Sequence, residues 1–214
     1  SSKTQSALLE VMEERQTTVD GVTRKLPEPF IVLATQNPIG SAGTQMLPDS
    51  QMDRFMIKLG MGYPDIKSQI NILKDRHRRN PLDEINMITG REQLIKMQEA
   101  ADAVYIADSV YEYIARLADA TRRNEMIQLG ISPRGTLALC RMAKAYAFVT
   151  GRTFVIPEDV SAVFNDVCGH RIIVSPKAKI AERKAEDILA DILRTEPVPQ
   201  IRQENATGAE GKKR

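Results

Sequence analysis

The 214 residues carry 42% hydrophobic and 27% charged side chains, the balance of a globular protein large enough for a substantial core. A formal charge of +2 gives no electrostatic case for nucleic acid or an anionic membrane as partner. No apolar run approaches the ~18 residues needed to cross a bilayer, and Cys140 and Cys168, set in apolar helical patterns without metal-ligand spacing, read as reduced core residues of a cytosolic protein.

Taken in chain order, Ser2 and Gln5 have capping-box spacing, and Ala7, Leu8, Val11 and Met12 form one apolar face, which predicts a helix over 1–14. The period then changes. Residues 16–19 and 22–25 flank Asp20-Gly21, a two-residue turn of the kind that closes a β-hairpin. Pro27 and Pro29 end it. The continuous apolar run 30–34 predicts a strand buried on both faces of a parallel sheet, and 55–59 predicts a second strand. Ligands bind just past the carboxyl ends of such strands, which is where Asn37 stands. Residues 39–46 lack any period and read as a loop, and Pro48 opens a short helix over 49–53.

Gly60, Gly62 and Pro64 place a domain boundary, after which the chain reads as helices. Asp65 caps the first, with Ile66, Ile70 and Leu73 facing inward and the charges of 74–79 solvated. Residues 91–101 form the next. A third, 108–121, carries Val110, Ile114, Leu117 and Ala118 on one stripe. The segment from Pro133 to Thr150 is apolar nearly all round, which predicts a helix in the middle of a bundle, ended by Gly151. Pro157-Glu158-Asp159 opens another that buries Val160, Val163, Phe164 and Val167. Ala181, Ala185, Ile188, Leu189 and Ile192 mark a last amphipathic helix. From 195 the composition turns to Pro, Gln, Gly and charge and predicts a disordered tail.

Three residues stand out as carriers of chemistry. Asn37 offers an amide that can orient a nucleophilic water or touch a phosphate, against the alternative of an Asn-Pro turn bonding its own backbone. Arg54, at the entrance to a strand, could project from the domain edge as a permanently charged fork of donors, against a local ion pair with Asp53 or Asp49. Arg134 lies in the first turn of a helix with Ser132 as N-cap and Pro133 at the first position. The helix dipole disfavours a cation there, so an anion held between the amides and the guanidinium explains it better than a solvated arginine does. Arg122 and Arg123, at a helix end that favours cations, read as ordinary. His77 and His170 show no ligand spacing, no metal site is predicted, and Asn205-Ala206-Thr207 matches a glycosylation acceptor by chance.

The segment Ala-Thr-Gln-Asn-Pro at 34–38, Leu-Pro-Asp-Ser-Gln-Met-Asp-Arg-Phe at 47–55 and Ile-Ser-Pro-Arg-Gly at 131–135 together resemble the MoxR family of AAA+ ATPases, over Ser1 to about Leu193. The resemblance implies the remainder of a P-loop α/β core over 1–62, with parallel strands and a hairpin that points into a ring's central pore. An all-α lid follows over 63–194, predominantly helical overall, and a disordered tail over 195–214. It implies that Asn37 is the first sensor, Arg54 an arginine finger acting on a neighbour's nucleotide, and Arg134 the second sensor. It implies ATP and Mg²⁺, held mainly by residues outside this chain, in a cytoplasmic homo-oligomeric ring, a hexamer. The work implied is chaperone-like remodelling or activation of a client or a von Willebrand A-domain protein. Two departures matter. The phosphate loop G-x-x-x-x-G-K-[ST] occurs nowhere in the sequence, so the chain reads as the carboxyl-terminal part of an ATPase that hydrolyses no ATP alone. Asp49 also stands where Glu is usual, with the same charge and a shorter reach. The competing readings are a non-catalytic helical adaptor or scaffold, a magnesium-chelatase-type subunit, and a helical nucleic-acid binder, the last opposed by the apolar character of 133–150.

Overall fold

A two-residue turn sets the first feature of the fold. The computed structural model of the protein describes residues 8–9, 11–36, 47–76 and 81–199, and the chain divides into two compact units, Ser1–Ala103 and Val104–Arg214. In the first, helix α1 is described at 8–9 and 11–14. Strands β1 (Gln16–Val19) and β2 (Val22–Lys25) pair antiparallel, with Gln16 opposite Lys25 and Val19 opposite Val22. Asp20 and Gly21 both take positive φ, +52° and +76°, the geometry of a type I′ turn, whose twist matches that of the strands. The Thr18 and Thr23 hydroxyls meet across the ladder at 3.0 Å, and Leu26 N–H closes its base on Arg15 O at 2.9 Å.

The apolar runs that follow depart from expectation. Residues 30–36 and 57–60 form neither helix nor ladder, and Leu33 is 92% exposed. A parallel strand is buried only by neighbours distant in sequence, and among the described residues no strand lies beside either run. Helix α2 (Asp49–Met52) is the short helix predicted after Pro48. In α3 (Ile66–Arg76), Asp65 accepts from the Ser68 amide at 2.7 Å, as the cap reading requires. Ile66, Ile70 and Leu73, expected to face inward, are exposed because no described element covers them. A 3₁₀ turn, Pro81–Glu84, and α4 (Arg91–Asp102) complete the unit, with Arg91 Nε donating to Glu28 O. The readings on 1–7, Asn37, 39–46 and His77 lie outside the described residues.

The second unit holds the core. Helix α5 (Asp108–Arg123) buries Val110, Tyr113, Ile114, Leu117 and Ala118, the predicted stripe enlarged by Tyr113. It packs on α6 (Pro133–Val149), which packs on α7 (Pro157–Cys168). Helix α6 is less central than its composition suggested. Ala138, Leu139, Ala143 and Ala147 are buried, whereas Leu137, Tyr146 and Val149 are exposed, because it has neighbours along one stripe only. Its end is a Schellman motif: Gly151 at φ +82° donates to Phe148 O and Arg152 N–H to Ala147 O, each at 2.9 Å. Arg152 then pairs with Asp159, a carboxylate only 1% exposed that also accepts from Ile156 N–H at 2.9 Å. Val160, Val163, Phe164 and Val167 bury as predicted. Cys168 is buried as well, which pushes its thiol up to about 12.

Two pairings across the sequence close the unit. Strand β3 (Ile127–Leu129) pairs antiparallel with β4 (Ile173–Val174), and Tyr105 bridges Phe154. Helix α8 (Pro176–Ile180) precedes α9 (Ala185–Thr195), so Ala181 falls outside the last helix, while Ile188, Leu189 and Ile192 bury as expected. Order extends past 195, where composition predicts a disordered tail: Thr195 ends α9, and Arg116 donates to Pro197 O at 3.0 Å and lies 3.8 Å from Glu196. Composition could not reveal a guanidinium held ready 81 residues upstream. Residues 200–214 lie outside the description.

Candidate functional site

Arg54 follows the single turn of α2, where its N–H donates to Gln51 O at 3.2 Å. Its guanidinium is paired with a carboxylate from further back in the chain. Glu13, from α1, is the partner, and the two side chains are 28% and 33% exposed. A half-covered ion pair of this kind is modest in energy, so it orients the arginine without committing it. Asn37, the first of the three sequence candidates, lies outside the described residues.

Arg134 stands where the sequence put it. Ser132 caps α6 by accepting from Gly135 N–H at 3.1 Å, and Pro133 occupies the first turn. Thr136 N–H takes Ser132 O at 3.0 Å. Arg134 is exposed at this helix start. The loop before it is fastened to the end of α5 at consecutive residues. Ile131 N–H donates to Thr121 Oγ1 at 3.1 Å, and that hydroxyl donates onward to Ala118 O at 2.7 Å. Arg122 Nε donates to Ile131 O at 3.1 Å. Gly130 lies so close that a Cβ there would stand 2.8 Å from the Arg122 amide nitrogen, which explains the glycine.

Arg122 is therefore a residue that the sequence reading undervalued. Its acceptor is a backbone carbonyl nine residues on, and no side-chain pattern reports such a bond. Thr121, fully buried and engaged at both its donor and its acceptor, was missed for the same reason.

A model described as the ATPase family associated with various cellular activities (AAA) matches residues 1–57, and an AAA lid domain model matches 119–192. The Bacillus subtilis protein YeaC is 41% identical over 199 residues, covering 93% of this chain and 62% of that protein. Chaperone MoxR1 of Mycobacterium tuberculosis is 36% identical over 209 residues, covering 94% and 55%. The chain belongs to the MoxR family of AAA+ ATPases. A crystal structure from Cytophaga hutchinsonii, of a protein assigned as an ATPase, superposes with a TM-score of 0.86 at 34% identity, covering 94% of this chain and 63% of that one. This MoxR-family chain thus spans roughly three fifths of the length of the relatives it matches.

The MoxR-family fold makes ATP and Mg²⁺ the groups to test against these residues. An exposed guanidinium at a capped helix start, on a loop fixed by hydrogen bonds, fits the rim of a polyphosphate. A guanidinium cannot ligate the metal, whose ligands would be other groups. Among the described residues, no three His, Cys, Asp or Glu side chains are grouped to hold a cation. No described helix is long and apolar enough to cross a membrane.

Proposed function

We propose that this chain is the sensing and intersubunit part of a MoxR-type ATPase that works as a cytoplasmic homo-oligomeric ring, a hexamer, remodelling or activating partner proteins of the client or von Willebrand A-domain type. In this reading the core portion runs through Gly62 and the lid from Tyr63 to Arg194. ATP is bound mainly by the phosphate loop of the complete subunit. Mg²⁺, when bound there, neutralises developing phosphate charge. Asn37 orients the attacking water, Arg54 leaves Glu13 to reach the nucleotide of the neighbouring subunit, and Arg134 contacts phosphate from the lid.

The observation that supports this best is the preorganised start of α6. Ser132 caps it, Thr121 and Arg122 fix the loop before it, and a cation stands where local stability would not choose one. The 214-residue chain, lacking the phosphate loop, is expected to show no ATP turnover. In the complete ring, Arg54→Ala is expected to lower kcat by roughly 10³ or more, the worth of an arginine finger. Mixing Arg54→Ala subunits with subunits disabled in the phosphate loop should restore part of the activity, because each supplies what its neighbour lacks. Turnover by the isolated chain that Arg54→Ala abolishes would overturn the reading.

A further inference from the structure

We propose that Arg171 is a positioning residue for Arg134, so that the end of α7 sets the direction in which the lid arginine points. The inference rests on the nucleotide-sensing reading of Arg134 only for its functional consequence; the geometry is independent of it. Arg171 is 7% exposed. Its backbone N–H closes the turn after α7 on Cys168 O at 2.9 Å, and its Nη1 donates to Val167 O. Both ends of a side chain with four rotatable bonds are thus tied to the carboxyl end of one helix, where a cation is favoured.

Between those ties the stem passes against Gly135. A Cβ at Gly135 would stand 2.9 Å from Arg171 Cδ, closer than a side chain tolerates, and 3.4 Å from its Nε. Gly135 is the residue directly after Arg134, and its N–H is the one that Ser132 caps. The same Cβ would meet Ile131 Cβ at 3.3 Å, and Ile131 is the residue held by Thr121 and Arg122. The start of α6 is therefore gripped from two sides, by α5 through Ile131 and by α7 through Arg171. A displacement of Arg171 moves Gly135, and Gly135 carries Arg134 with it. Packed interfaces transmit sub-ångström shifts in this way because they have no slack to absorb them.

The test has two arms. In the complete ATPase, Arg171→Met keeps much of the stem and removes the guanidinium. KM for ATP is expected to rise roughly tenfold, the size of one weakened charged hydrogen bond, with kcat little changed. Arg134→Ala combined with Arg171→Met should bind ATP no more weakly than Arg134→Ala alone, since both act through one contact. Additive losses would assign Arg171 a separate, general role and overturn the proposal. The second arm needs no nucleotide. In the 214-residue chain, the NMR signal of the Arg134 side-chain Nε–Hε group is expected to shift in Gly135→Ala and to return toward its original position in Gly135→Ala/Arg171→Ala, where the new methyl occupies vacated space. An unmoved signal in Gly135→Ala overturns the proposal even if Arg171→Met fails to fold. If Arg134→Ala leaves KM unchanged while the signal moves as expected, the sensing reading fails and the positioning stands.

Discussion

The two compact units differ in what they do with apolar side chains. Among the described residues of Ser1–Ala103, Leu9 alone is a buried apolar side chain, while Leu33, Met61, Tyr63, Ile66 and Ile88 lie exposed. Val104–Arg214 encloses Tyr113, Leu117, Leu139, Phe164 and Leu189 completely. In sequence the units differ by less than this: 38 of 103 residues are apolar in the first and 52 of 111 in the second. Apolar residues make a core only where the chain returns to cover them, and α5, α6, α7 and α9 cover one another. The first unit holds its described shape by polar means instead: a turn, a cap, the Arg54–Glu13 ion pair and the Arg91–Glu28 bond.

The strongest way to break this comparison is to make one change in both units. Leu117→Ala should cost about 2–5 kcal/mol, as deletion of a fully buried leucine does, and Leu33→Ala less than about 0.5 kcal/mol. Urea denaturation of the 214-residue chain measures both, and similar losses would mean that 30–34 is covered in solution. Next in size is Asp159→Ala, which strands Arg152 and uncaps α7. A buried pair broken from one side costs about 3–5 kcal/mol, and with Arg152 partly exposed the midpoint shift should correspond to the lower end. Thr121→Val keeps the shape and leaves Ile131 N–H without its acceptor, for a loss of about 1–3 kcal/mol. Hydrogen exchange should show that amide, rather than those of the hairpin, losing protection.

The smallest effect is electrostatic. A hydrogen bond from Arg183, with the charges of Arg183 and Arg194 beside it, holds the Asp191 carboxyl below its ordinary range. A carboxylate lowered in the folded state contributes stability that is fully present above its unfolded pKa, about 4. That contribution is lost as pH falls through the lower folded value. Asp191→Asn should therefore flatten the acid limb of a melting-temperature profile and leave the region above pH 5 nearly unchanged in slope. A mutant as acid-sensitive as the parent would remove Arg183 and Arg194 from the account.

What the sequence disclosed follows the range of the interaction. Asp20-Gly21 required only that glycine accept positive φ, and the hairpin stands where it was expected, with its register. The caps at Asp65 and Ser132 are three-residue events and were equally legible. The stripe of α5 and the buried face of α7 followed from period alone. Long-range partners were not visible. Ile127 and Val174 pair across 47 positions in strands of three and two residues, too short to show a period. Glu13 as the partner of Arg54 could not be chosen from among the acids near it in sequence, and Arg116 gave no sign that it would hold Pro197. The same limit applies at 30–34, where the neighbours that an apolar run calls for are not among the described residues. For the candidate site, Arg134 and its cap were readable, and the groups that aim it were not.

The hairpin has a consequence for what can vary. Its ladder is closed at one end by a turn of two residues and at the other by the Arg15–Leu26 bond. Four residues per strand at about 3.3 Å each fix its reach at roughly 13 Å. One residue inserted within either strand would reverse the faces of the residues beyond it, so the strand length cannot drift by small steps. The side chains at the tip, exposed Val19 and Val22, are under no such constraint. The hairpin is a ruler with an interchangeable point.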